Sequence, residues 1–174
     1  MGVHHYKLSV MPASACQTHS EVFSRNDLSP DAFDELDIWQ TPPANAFLTE
    51  LREFLPRETS WGPCEEFESA TETWGSDLRI WHHDDSRQAV SSIDFRFSGA
   101  DGFPLLASFL DMVDRHDCNL FSLLTGALLE PDYDAVVADF ITTRAAKFMV
   151  DPKSTIIDAK ITQKKPVLEV TTNE

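Results

Sequence analysis

The sequence predicts an α+β protein: a two-layer sandwich with a mainly antiparallel sheet and helices on one face. Three observations lead there. Leu78 to His83 and Ile93 to Phe97 alternate apolar and polar residues around a polar connection, as the strands of a half-buried hairpin do. Several other segments carry apolar residues at helical spacing. The elements come in the order β, α, hairpin, α, β, α, so spaced helices can cover one face of an antiparallel sheet. A ferredoxin-like split β-α-β arrangement is one candidate topology with that order.

In chain order, Tyr6 to Val10 alternates weakly and reads as a first strand, ended by Pro12. Ala13 to Asn26 is small and polar and reads as a loop. Ser29-Pro30-Asp31 places a capping serine before a proline at the first helical position, which starts a short helix to about Leu36. Thr41-Pro42-Pro43 repeats that signal. Phe47, Leu48, Leu51, Phe54 and Leu55 then form the stripe of an amphipathic helix stopped at Pro56. Arg57 to Ser76 has no clear period. It holds the turn-like Trp61-Gly62-Pro63 and Trp74-Gly75, and reads as a long loop with a short strand near Phe67.

After the hairpin and its Asp84-Asp85-Ser86-Arg87 connection, Asp101 is placed to cap a helix. Its stripe is Phe103, Leu106, Phe109, Leu110 and Val113, and His116-Asp117 ends it. Leu120 to Leu124 reads as a buried strand, Thr125-Gly126 as a turn, and Ala127 to Leu129 as a continuation of the sheet. Pro131-Asp132 opens a last helix with Tyr133, Val136, Val137, Phe140, Ile141 and Phe148 inside, closed by Asp151-Pro152. Residues 1–152 are expected to form one domain and 153–174 a peripheral segment, with Val167 to Val170 either an edge strand or part of a disordered tail. Leu78, Ile80, Ile93, Phe95, Phe97, Leu106, Phe109, Leu110, Val113, Val137, Phe140 and Ile141 are expected to share one core.

Composition narrows the class. The 174 residues suit one domain, and 42% hydrophobic with 25% charged residues is an ordinary globular balance. No apolar run approaches the ~20 residues of a membrane helix, and Met1 to Met11 lacks the apolar stretch of a secretory signal. Cys16, Cys64 and Cys118 are odd in number and widely spaced, so free thiols in a reducing cytoplasm are expected. The net charge is −15. Ser20 to Asp139 alone holds 25 acidic and 7 basic residues, and lysine is absent between Lys7 and Lys147. Such a surface repels nucleic acid and anionic membranes. It attracts a basic protein and speeds encounter with it, although the same charge also serves solubility alone.

The chemical motifs are few. His82-His83-Asp84-Asp85 offers metal-binding residue types, but neighbours on a strand point to opposite faces, and His and Asp are ordinary turn residues. Asp111, Asp114 and Asp117 share a helix surface, off the apolar stripe, where a solvated face is the simpler reading. Cys118 follows His116-Asp117, yet a triad converges from distant segments and a Cys entering a strand is ordinarily core. Cys64 stands before Glu65-Glu66, a setting that raises a thiol pKa, the wrong direction for a nucleophile. No GxGxxG, Walker, HExxH or GxSxG string occurs. No cofactor and no metal are expected. Trp39, Trp61, Trp74 and Trp81 are either covers of core edges or anchors for a partner.

From Leu78 onward the chain resembles a loose family of small acidic bacterial proteins. The residues carrying this are Trp81-His82-His83-Asp84-Asp85, Asp117-Cys118, Thr125-Gly126 with Glu130-Pro131, and Arg144-Ala145-Ala146-Lys147-Phe148 with Asp151-Pro152. Less than half of the chain is covered. Acidic proteins of this size are similar to the immunity proteins that neutralise bacterial toxins. The resemblance implies a protein partner and transfers no functional residue.

The expected function is therefore a non-enzymatic protein-binding module, an immunity protein for a basic toxin. The candidate contact residues are Trp61, Trp74, Asp84, Asp85, Asp111 and Asp114. Two alternatives remain. One is a small metal-dependent hydrolase built on His82, His83, Asp84 and Asp85, or on Asp111 with Asp114. The other is a DNA-mimicking decoy with the same charge pattern.

Overall fold

The computed structural model describes residues 5–23, 32–33, 36–69, 75–97 and 102–151. β1 (Tyr6–Pro12) runs into two short helices, α1 (Ala13–Thr18) and α2 (Ser20–Phe23). Helix α3 (Asn45–Phe54) precedes β2 (Arg57–Glu58), β3 (Cys64–Glu68) and the hairpin of β4 (Asp77–His82) and β5 (Val90–Phe97). Then come α4 (Gly102–Arg115), β6 (Cys118–Ser122), β7 (Leu128–Leu129), α5 (Tyr133–Ile141) and α6 (Arg144–Val150). The strands form one open sheet in the order β2-β3-β4-β5-β1-β6-β7, every neighbouring pair antiparallel. The fold is α+β.

β1 lies between β5 and β6, and β5 between β4 and β1. β1 and β4 are therefore parallel to each other, joined through α3, with β5 between them. β5 and β6 are parallel, joined through α4, with β1 between them. Two interleaved split β-α-β units are the ferredoxin-like arrangement. Around it, β2 and β3 extend one edge, and β7 extends the other.

Register explains which side chains form the core. Tyr6 opposes Phe97, Leu8 opposes Phe95, and Val10 opposes Ile93, while Leu78 and Ile80 oppose Phe95 and Ile93 from the other side. These residues share one sheet face and are buried. Phe109 of α4 stacks on Phe95 with ring centroids 4.3 Å apart, Phe54 of α3 meets both rings, and Phe140 of α5 meets Tyr6 and Phe97. The hydroxyl of Tyr6 donates to Asp139 of α5 at 2.5 Å, and Thr125 donates to the other oxygen of that carboxylate.

Helix placement departs from the expectation of a single covered face. Phe121 opposes Ser9, so it projects from the face opposite Leu8. There Phe33 stacks on it at 4.3 Å and Phe23 of α2 meets it at 6.0 Å. Met11 is buried on this second face too, which is therefore apolar near β1 and β6.

Four further expectations change. Ala13 to Asn26 is not simply a loop, because α1 and α2 occupy 13–18 and 20–23. Buried Ala15 packs where α1 touches β1 and β6, a tertiary gain that local polarity conceals. Arg57 to Ser76 is not mainly loop: the short strand expected near Phe67 is β3, and with β2 it builds an edge of the sheet. The final helix is two: Thr142 ends the first and Thr143 caps α6, its Oγ1 accepting from the Ala146 amide at 3.3 Å. Ile141, expected in the core, is 63% exposed at the end of α5, while Val136 is buried and Val137 is packed at the core margin. Of the helix expected from Ser29 to Leu36, Ala32 and Phe33 are helical. The proposed Asp101 cap and residues 153–174 lie outside the described residues.

Candidate functional site

Trp61 opens a tight turn, Trp61-Gly62-Pro63-Cys64, closed by reciprocal backbone hydrogen bonds of 2.9 Å between Trp61 and Cys64. Gly62 sits at φ +49, a conformation that favours glycine. The turn is pinned to the β4–β5 connection at three points. The His82 amide donates to the Pro63 carbonyl at 2.9 Å. Arg87 donates from Nε to the Gly62 carbonyl at 3.0 Å, and from a terminal nitrogen to the Cys64 carbonyl at 3.4 Å. Arg87 itself adopts φ 55.

On this fixed turn Trp61 is 53% exposed. Its ring stands near-perpendicular to Trp81, with centroids 5.4 Å apart at 88°. Its indole N–H donates to Glu66 at 3.3 Å. An exposed tryptophan whose backbone and ring are both held loses little freedom when a partner covers it.

Asp84 and Asp85 adjoin this turn and are both exposed. They differ in use. Oδ1 of Asp84 accepts from the amide and the hydroxyl of Ser86, and these bonds hold its pKa below the ordinary carboxylate value. Oδ1 of Asp85 lies over the Trp61 turn, 3.5 Å from where a β-carbon on Gly62 would stand. The structure thus brings together Trp61, Asp84 and Asp85.

Asp111 and Asp114 are exposed on α4 and belong to a different surface. Asp114 lines a polar cleft of about 360 Å³ with Asp117, Glu130 and Asp132, on the β6–β7 side of the sheet. Trp74 lies outside the described residues.

The histidine pair diverges. His82 turns toward the core face, where Nε2 lies 2.6 Å from Glu65. Arg52 of α3 donates two hydrogen bonds to the same carboxylate, at 2.8 and 2.9 Å, and lowers its pKa. His83 is exposed. Among the described residues no group of three His, Cys, Asp or Glu side chains is placed to hold a metal ion. Burial pushes the Cys64 thiol up to about 11 and the Cys118 thiol up to about 12, so both are protonated at neutral pH.

A feature that sequence reading missed fills the second face of β3, β4, β5 and β1. Arg79 pairs with Glu66 and, at 3.3 Å, with Asp77. Arg96 reaches Asp77 at 2.7 Å and Lys7 reaches Asp94 at 3.1 Å. The carboxylates are buried and the cations part-exposed. Burial raises the Asp77 pKa although Arg96 and Arg79 oppose it. The available signal was charge alternating along both hairpin strands, which places opposite charges across the ladder.

Compared with known proteins, the chain matches no family model, no curated protein and no solved structure.

Proposed function

We propose that the protein is a non-enzymatic protein-binding module, an immunity protein for a basic toxin being the specific form of that reading. The observation that carries it is Trp61, half exposed on a turn pinned by Arg87 and His82 and flanked by Asp84 and Asp85. Tryptophan is among the residues that most often dominate binding energy when a partner buries it. The net charge of −15 supports a basic partner, because complementary fields raise the encounter rate. Asp111 and Asp114, on their separate surface, contribute to that long-range field in this reading rather than to the contact.

The test is affinity capture from native lysate with immobilised wild-type protein and Trp61→Ala side by side, at low and moderate salt. The expected result is a basic protein retained by the wild type and lost with Trp61→Ala. A partner retained equally by both, or no partner at low salt, overturns the reading.

A further inference from the structure

Resting on the reading of Trp61 as a docking anchor, we propose that the Trp61 corner receives an arginine side chain of the protein partner, stacked on the indole and paired with the Asp85 carboxylate. Three features of the corner select that chemistry. First, Trp81 stands perpendicular to Trp61 rather than flat against it, and more than half of Trp61 remains open. An open indole face attracts a cation through its ring quadrupole.

Second, the two neighbouring carboxylates are not equivalent. Asp84 spends one oxygen on the Ser86 amide and hydroxyl, so it builds the turn. Asp85 is exposed, with Oδ1 3.5 Å from where a β-carbon on Gly62 would stand. A cation lying on Trp61 meets Asp85 at its edge.

Third, the local charge balance is negative. Asp84 and Asp85 are exposed beside the turn. Arg87 stands at the turn too, donating from Nε and one terminal nitrogen to the Gly62 and Cys64 carbonyls, so one positive charge is set against the two carboxylates. Glu66, beneath Trp61, is matched by Arg79. An arginine suits the corner better than a lysine does. Its planar guanidinium stacks on an aromatic face and forks two N–H groups toward one carboxylate, whereas an ammonium is a compact, strongly hydrated charge.

The experiment uses the full chain, labelled with ¹⁵N and titrated with a hexa-arginine amide and, separately, a hexa-lysine amide. The four tryptophan indole N–H resonances are followed, with that of Trp61 assigned through Trp61→Phe. The expected result is a shift of the Trp61 indole by the arginine peptide, at an affinity several-fold above that for the lysine peptide. Asp85→Asn is expected to weaken arginine-peptide binding about 5-fold, the size of a well-placed surface ion pair. Asp85→Glu restores most of it, and Asp111→Asn changes it less than 2-fold. Equal binding by Asp85→Asn and wild type, equal losses from Asp85→Asn and Asp111→Asn, or no preference for arginine overturns the proposal. A lysate partner retained by wild type and lost with Trp61→Ala, while the peptide ignores Asp85, overturns the arginine assignment and leaves the docking reading standing.

Discussion

Phe95→Ala removes the ring at the centre of the core. Phe95 is fully buried in the middle of β5, opposite Leu8 on one side and Leu78 on the other. It stacks on Phe109 at 4.3 Å, meets Phe54 edge-on at 5.9 Å, and lies 6.4 Å from Phe97. Truncation of a buried Phe costs about 3–5 kcal/mol, from lost transfer energy and the cavity left behind. Contacts from two helices and two strands leave little room for collapse, which favours the upper half of that range. For a chain of this length, each kcal/mol lowers the melting temperature by roughly 2–4 °C, so a fall of about 8–20 °C is expected. Urea unfolding followed by circular dichroism gives the free energy, and thermal melts give the temperature. Ile141→Ala is the matched control: Ile141 is 63% exposed, and its truncation is expected to cost less than about 0.5 kcal/mol. A Phe95→Ala melt within about 2 °C of wild type refutes the facing of β5 and the packing of α3 and α4 upon it.

Other outcomes follow from the polar contacts. Glu65 has its pKa lowered by hydrogen bonds from Arg52 and His82, so its contribution is present above the ordinary value of 4.5 and is lost as pH falls through the lowered one. Glu65→Gln is therefore expected to unfold in less urea than wild type at neutral pH, with the difference shrinking well below pH 4.5; a constant difference contradicts the assignment. Tyr6→Phe removes a hydrogen bond to the Asp139 carboxylate and is expected to cost about 1.5–3 kcal/mol in urea unfolding, whereas an unchanged midpoint shows that the bond contributes nothing. Neutralising Asp84, Asp85, Asp111 and Asp114 together is expected to slow association with the captured partner and flatten its salt dependence. An association rate indifferent to both rules out electrostatic steering.

The central fold was legible where local pattern and tertiary structure agree. Leu78 and Ile80 alternate with Arg79 and Trp81 because one hairpin face is buried, and the stripe from Leu106 to Val113 marks the side of α4 that meets the sheet. β3 was hardly legible, because its sequence, Cys64-Glu65-Glu66-Phe67-Glu68, has no apolar alternation. Two of its glutamates are stabilised by Arg52 and Arg79, each 13 residues away in sequence. The break at Thr142-Thr143 was missed because the apolar spacing of Phe140 and Ile141 carries on toward Phe148.

The candidate site was half legible. The turn character of Trp61-Gly62-Pro63 and the polarity of Asp84-Asp85 could be read from composition. Their adjacency depends on β3 pairing with β4, and only a short strand near Phe67, not that pairing, was legible. Asp111 and Asp114 were grouped with them because α4 follows the same hairpin. The chain places Asp114 instead with Asp117, Glu130 and Asp132, since α4 delivers its C-terminal end to β6.

The most direct test of Trp61 as the anchor is the dissociation rate of the captured partner from wild type and from Trp61→Ala, measured by biolayer interferometry at fixed salt. A buried tryptophan anchor is worth about 2 kcal/mol or more, so dissociation from Trp61→Ala is expected to be about thirtyfold faster or more, with association nearly unchanged. Equal dissociation rates for the two proteins would contradict the claim that the partner docks on Trp61.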